Sequence, residues 1–293
     1  MGVYVECKGK GSGSSNRNTG AKQQCLEGLF IKPALHVPGF SFESVEDAKD
    51  KAKWYAAVAS KKIFPLYDAE ELAAANTEDT VFEGRTRQYV TALGKKVSTF
   101  SSFLGLCSHG ALKSYNKKDM GLFEFTEDGA IKGVIMADGK VKGQDVVLNV
   151  GKRLDATADR PPSTPVTINY KDHNQFEDNG AVLRPEDWGA ADLHGIFDVT
   201  LAQVSASATV IEFTASTGCA GGDDLIDSLL AANVIVQDLD GANVTVSFVT
   251  ADENGVYRLT GTGFTTGYTV SLNGVVSQTE ISYESPEPLK ITI

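Results

Sequence analysis

The chain has 293 residues, 42% of them hydrophobic, which is longer than one typical domain and sufficient for a sizeable core. No run of about 18 apolar residues is present to cross a bilayer as a helix. The opening Met1-Gly2-Val3-Tyr4-Val5-Glu6-Cys7 lacks the basic-then-apolar pattern of a secretory signal, so a soluble protein of cytoplasmic origin is expected. The net charge of −11 is uneven: residues 201–293 carry 11 acids against Arg258 and Lys290, whereas residues 1–200 carry 27 acids and 25 bases, which argues against phosphate recognition by the last third.

Taken in chain order, Val3–Cys7 alternates like a short strand, and the Gly-, Ser- and Asn-rich residues 9–20 read as a mobile loop. Val45, Ala48, Ala52, Tyr55, Ala56, Ala59 and Ile63 recur at helical spacing. Glu43, Glu46 and Asp47 stand at the start of that stretch and Lys61 and Lys62 at its end, so one amphipathic helix from Ser44 is expected to stop before Pro65. A second short helix is expected over Asp68–Ala75, then a loop over 77–80.

From Val81 to Val150 the pattern is strand and hairpin. Phe123–Thr126 and Lys132–Met136 flank Asp128-Gly129, and a second Asp-Gly pair at 138–139 precedes Val141 and the run Val146–Val150, which together predict a β-meander. The proline-rich stretch 155–165 reads as irregular and leads to a strand at Val166–Tyr170. Residues 176–193 read as loop, and Phe197–Leu201 as the closing strand of the first domain. Beyond it, short strands recur every 8 to 12 residues, as in a β-sandwich: 209–214, 234–237, 244–249, 256–260, 268–272, 280–283 and 289–293, with one helix at 223–232. The expected class is α+β, mainly β, with a first domain over 1–202 and an immunoglobulin-like sandwich over 203–293. A Cys…Trp…Cys arrangement of the antibody type is absent.

No residue set meets the requirements of a catalytic, cofactor or metal site. Gly20-Ala21-Lys22-Gln23 departs from a phosphate-binding loop because Ala21 interrupts the Gly-Lys pair and Gln23 replaces the hydroxyl. Cys219 follows a Gly-containing turn, but no histidine lies after His194 to activate it. His36, His109, His173 and His194 lack ligand spacing, and the four cysteines (Cys7, Cys25, Cys107, Cys219) lack any C-x-x-C pair, so reduced thiols are expected. Asp238-Leu239-Asp240-Gly241-Ala242-Asn243 has its glycine too early for a calcium loop and reads as a hairpin turn. Asp172-His173, Glu177-Asp178 and Glu186-Asp187 read as solvated loop charges. Arg85, Arg87, Lys95, Lys96, Lys117 and Lys118, interleaved with Tyr89, Phe100, Phe103 and Tyr115, fit either a nucleic-acid surface or subunit contacts.

The order of these features, with Gly121-Leu122-Phe123-Glu124-Phe125-Thr126, Pro165-Val166-Thr167-Ile168-Asn169-Tyr170 and Gly195-Ile196-Phe197-Asp198-Val199-Thr200-Leu201 as its markers, resembles the tail tube (major tail) proteins of tailed bacteriophages. Gly255–Phe264 is similar to immunoglobulin-like modules that decorate virions. The likeness covers most of the chain, while the stretch 44–75 is longer than in the simplest tube proteins.

The resemblance implies a tail-tube-like β-barrel or sandwich with flanking helices, assembled as a homo-oligomer in stacked rings within a virion tail and made in the host cytoplasm. It implies other tail proteins as partners and DNA passing through the lumen without specific binding. It implies no membrane partner and no cofactor, and an outward second domain that would meet surface glycans. A head decoration or fibre protein, and a cell-surface carbohydrate-binding module, stand as alternatives.

Overall fold

The computed structural model describes residues 3–6, 28–218, 224–278 and 281–293, which divide into two compact units, 1–193 and 194–293. The fold is mixed α+β with β structure predominant. The expected mobile loop at 9–20 and Cys219 both lie outside the described residues.

In the first unit β1 (Tyr4–Val5), β2 (Phe30–His36), α1 (Val45–Lys49), α2 (Lys51–Ala59) and β3 (Ile63–Pro65) come first. The single expected helix is two. Ser44 caps α1 by accepting from the Asp47 N–H, and Asp50, in extended conformation, ends α1 and caps α2 by accepting from the Ala52 N–H.

Next come β4 (Glu70–Ala74), β5 (Thr80–Glu83), β6 (Gln88–Ala92), β7 (Val97–Ser102), α3 (Leu106–Lys113), β8 (Asp119–Thr126), β9 (Ile131–Ile135), β10 (Val141–Lys142), β11 (Gln144–Val150), β12 (Thr164–Tyr170), α4 (Gln175–Asn179) and β13 (Gly180–Leu183). The helix expected over 68–75 is corrected to strand β4: pairing with β7 overrides the helical preference of its Glu, Leu and Ala residues. The loop expected over 176–193 contains α4 and β13, and β13 lies between β1 and β9 in the sheet.

One eleven-stranded sheet organises this unit, and β8 is its hinge. Along one edge β8 pairs with β2. Along the other it pairs first with β11, through residues 119–122, and then with β9, through Glu124 and Phe125. The sheet therefore curls into a half-barrel. Every residue of β8 after Asp119 is buried, because both of its faces are covered. Met120 and Leu122 join the cluster of Leu35, Phe100, Leu112, Val146, Leu148, Val166 and Ile168 on one face. Phe123 and Phe125, on the other, pack with ring centroids 5.0 and 5.2 Å from the Trp54 ring of α2. The Trp54 indole N–H donates to the Ala48 carbonyl at 2.9 Å, so its polar edge is satisfied in the core.

The second unit runs from β14 (Ile196–Ala206) through β15 (Val210–Thr217), β16 (Asp224–Leu225), β17 (Val234–Gln237), β18 (Ser247–Val249), β19 (Val256–Thr260), β20 (Thr269–Leu272), β21 (Val276–Gln278) and β22 (Ile281–Glu284) to β23 (Leu289–Lys290). The units divide at 193/194 rather than at the expected 202/203. The strand read as closing the first domain is β14, which pairs with β15 and β22 in the second. A seven-stranded sheet and a three-stranded sheet share one core, with Ile211, Phe213, Tyr257 and Leu259 from the former and Val236, Val270 and Leu272 from the latter. The helix expected over 223–232 is corrected: Asp224–Leu225 is strand and Ala231–Asn233 a single 3-10 turn. Counted by unit, residues 194–293 hold twelve acids against Arg258 and Lys290, a net −10, and residues 1–193 hold 26 acids against 25 bases, a net −1.

Cys107, at the start of α3, is disulfide-bonded, which corrects the expectation of reduced thiols; the other three cysteines lie outside the described residues. The absence of a C-x-x-C pair speaks only to closely spaced cysteines, whereas a disulfide can join residues far apart in sequence.

Candidate assembly surface

Strands β4 and β7 do not end where the sheet ends. Their ladder continues outward: the Ala75 N–H donates to the Val97 carbonyl and the Thr77 N–H to the Lys95 carbonyl. Side chains reinforce the base, with Asn76 Oδ1 accepting from Val97, Thr77 Oγ1 from Lys95 and Asp79 Oδ1 from Gly94. A Cβ on Gly94 would lie 2.0 Å from the Thr77 carbonyl oxygen, so only glycine allows the two strands to approach so closely there.

Beyond this base β5 and β6 form a separate two-stranded ribbon, closed by the Gly84 N–H donating to the Arg87 carbonyl. Val81 pairs with Val90 and Phe82 with Tyr89. Alternation sends these two pairs to opposite faces, and all four are exposed, Phe82 by 60% and Val90 by 57%. Leu93 adds a further 59% exposed side chain near the base. Both faces of the ribbon are thus apolar and both are in water. A lone two-stranded ribbon is marginally stable in water, and its exposed apolar side chains make it the candidate surface of this unit.

The basic and aromatic residues singled out in the sequence separate in the fold. Arg87 and Tyr89 stay together on the ribbon, where the Arg87 Nε–H donates to the Tyr89 hydroxyl at 2.7 Å and the guanidinium lies over the ring. Phe100 is buried in the first-unit core. Lys96 leaves for a different cluster, its ammonium 4.5 Å from the Tyr170 ring centroid and donating to Gln144. There the buried Glu124 carboxylate accepts from the Tyr170 hydroxyl at 2.6 Å and from Gln144 at 3.2 Å. Burial first, and then the Glu124 charge, push the Tyr170 phenol far above its ordinary value, which keeps it a donor.

The other candidates resolve individually. Asp238 accepts from the Asp240 and Ala242 N–H groups and turns the chain after β17, with Gly241 at φ +79°. Asp172 accepts from the Asn174 N–H, and Glu177 and Asp178 lie in the first turn of α4. The His109 ring contacts the Thr164 hydroxyl at 3.0 Å, and His36 is buried in the sheet. Among the described residues no three His, Cys, Asp or Glu side chains converge as a metal site, and no helix is long and apolar enough to cross a membrane.

Neither any protein-family profile nor any curated protein matches this chain.

Proposed function

We propose that this chain is a virion structural protein, the subunit of a phage tail tube in which copies stack in rings around a DNA-conducting channel. The observation that carries this reading is the β5–β6 ribbon, whose two apolar faces are uncovered in the isolated chain. Burying a side chain of the size of Phe82 or Val90 against another surface contributes about 1.5–3 kcal/mol, so four such residues supply a strong drive to associate. The curled sheet, built around one strand with three partners, offers a rigid mount for the ribbon. The second unit, at −10, is the module left outside the tube, where its charge favours solubility and repels polyanions.

The test is the state of the full chain in solution, by size-exclusion chromatography with light scattering and by negative-stain electron microscopy. Rings or tubes that Phe82→Asp and Val90→Asp each convert to monomers are the expected result. A wild-type chain that stays monomeric at high concentration and in assembly-promoting salt overturns the reading.

A further inference from the structure

We propose that His36 is an acid-sensitive latch that holds the corner between β10 and β11 against the rest of the half-barrel. His36 of β2 pairs in register with Gly121 of β8, and Gly121 pairs in turn with Asp145 of β11. The imidazole lies across Gly121 and reaches the backbone of Gly143, at the corner between β10 and β11. That path exists only because residue 121 has no side chain: a Cβ there would lie 1.8 Å from Nε2. The ring is 2% exposed and packs against Phe40 and Phe123, with centroids 5.7 and 5.3 Å away.

Two hydrogen bonds fix its protonation state. Nε2 lies 2.9 Å from the Gly143 nitrogen, and a backbone N–H only donates, so Nε2 carries no proton. Nδ1 lies 2.8 Å from the Val37 carbonyl oxygen, which only accepts, so Nδ1 carries the one proton. Adding a second proton at Nε2 would set two N–H groups head to head and leave the Gly143 amide without its acceptor inside the core. Such a loss is costly because a buried amide left without its acceptor forfeits the hydrogen bond at the full cost of its desolvation.

The charged groups that act on the ring are Asp145 of β11 and Lys142 of β10. They are bonded to each other at 2.6 Å, and Gln175 of α4 donates to the same Asp145 oxygen at 2.6 Å. Burial is the largest influence on the imidazole and holds its pKa below the ordinary 6.5, against the opposing effects of the Val37 bond and the Asp145 charge. The sign follows. With the corner open, His36 takes up a proton near its ordinary pKa, whereas in the closed form it does not. The closed form therefore loses stability as pH falls below 6.5, and the loss stops once pH has passed the depressed native value.

Nuclear magnetic resonance on the full, histidine-labelled chain tests this, with amide hydrogen exchange read on the same sample. The expected result is a neutral His36 with a bare Nε2, titrating below its ordinary 6.5. Protection of the Gly143 amide should fall as pH drops below 6.5, by at most about tenfold per pH unit and only until the depressed native value is passed, while amides of β12 and of the second unit keep theirs. His36→Gln retains a donor and an acceptor without a titrating group and should abolish the pH dependence at Gly143.

Titration of His36 at or above its ordinary 6.5, or a protonated Nε2 at neutral pH, overturns the proposal. So does protection lost uniformly across the first unit, which would be general acid unfolding. If His36→Gln does not fold, the wild-type tautomer, titration and exchange decide alone.

Discussion

Two hairpins in the first unit are built from similar sequences and do opposite things. The β8–β9 hairpin, turning at Asp128-Gly129, buries nearly every residue it contains, with Phe123, Phe125 and Ile131 at 0–1% exposure. The β5–β6 ribbon presents Val81, Phe82, Tyr89 and Val90 to water. The first hairpin is stabilised by the core it helps to form. The second gains nothing of the kind within one chain, so its apolar residues add little to the folding of the monomer and are available for contacts between copies.

Substitutions should separate the two hairpins sharply. Phe125→Ala removes a ring packed against Trp54 and Trp188 and should lower stability by about 3–5 kcal/mol in chemical denaturation. Gly121→Ala places a methyl group against the His36 ring and should cost about 1–3 kcal/mol, with the loss visible as a shifted denaturation midpoint at unchanged slope.

Asp128→Ala should cost about 1–2 kcal/mol, because the Asp128 side chain accepts from the Thr126 hydroxyl and from Arg184. Burial raises the Asp128 pKa, but those two hydrogen bonds and the Arg184 charge outweigh it and hold the carboxyl below its ordinary 3.8. Its contribution is therefore present above pH 3.8 and lost as pH falls through the depressed value, a component of acid unfolding that Asp128→Ala should lack.

At the other end of the scale, Phe82→Ala should leave monomer stability within about 0.5 kcal/mol of wild type. A loss at Phe82 as large as that at Phe125 would show that the ribbon is packed in the monomer, and the comparison would collapse.

Much of the β framework was legible in the sequence. The strands Val234–Gln237 and Val256–Thr260 coincide with their expected limits, and the turns at Asp128-Gly129 and Asp138-Gly139 stand between the strands they were expected to join. Both glycines have positive φ, which is the property that made the turns readable. What was not legible depended on distant partners. Glu70–Ala74 has helical composition and becomes a strand only because β7 lies beside it. Gly180–Leu183 is a four-residue apolar run masked by its polar flanks, Glu177-Asp178-Asn179 before it and Arg184-Pro185 after it, although a short apolar run is itself a strand signal.

The candidate surface was the least accessible to sequence reading. Thr80 was expected in a loop and Val81 only at the start of a long strand-and-hairpin stretch, and adjacent apolar residues such as Val81 and Phe82 name no buried face. Only the fold shows that neither face is covered.

The pairing of Tyr4 with Ala181 and of Val5 with Val182 has a consequence in time. A ribosome adding roughly 5–20 residues per second delivers β13 many seconds after β1 has emerged. During that interval the first strand has no mate, while β2 through β12 can already curl around β8. Strand β1 can therefore take its place beside β13 only after residues 180–183 have been made, so this parallel pair is a late closure of the half-barrel.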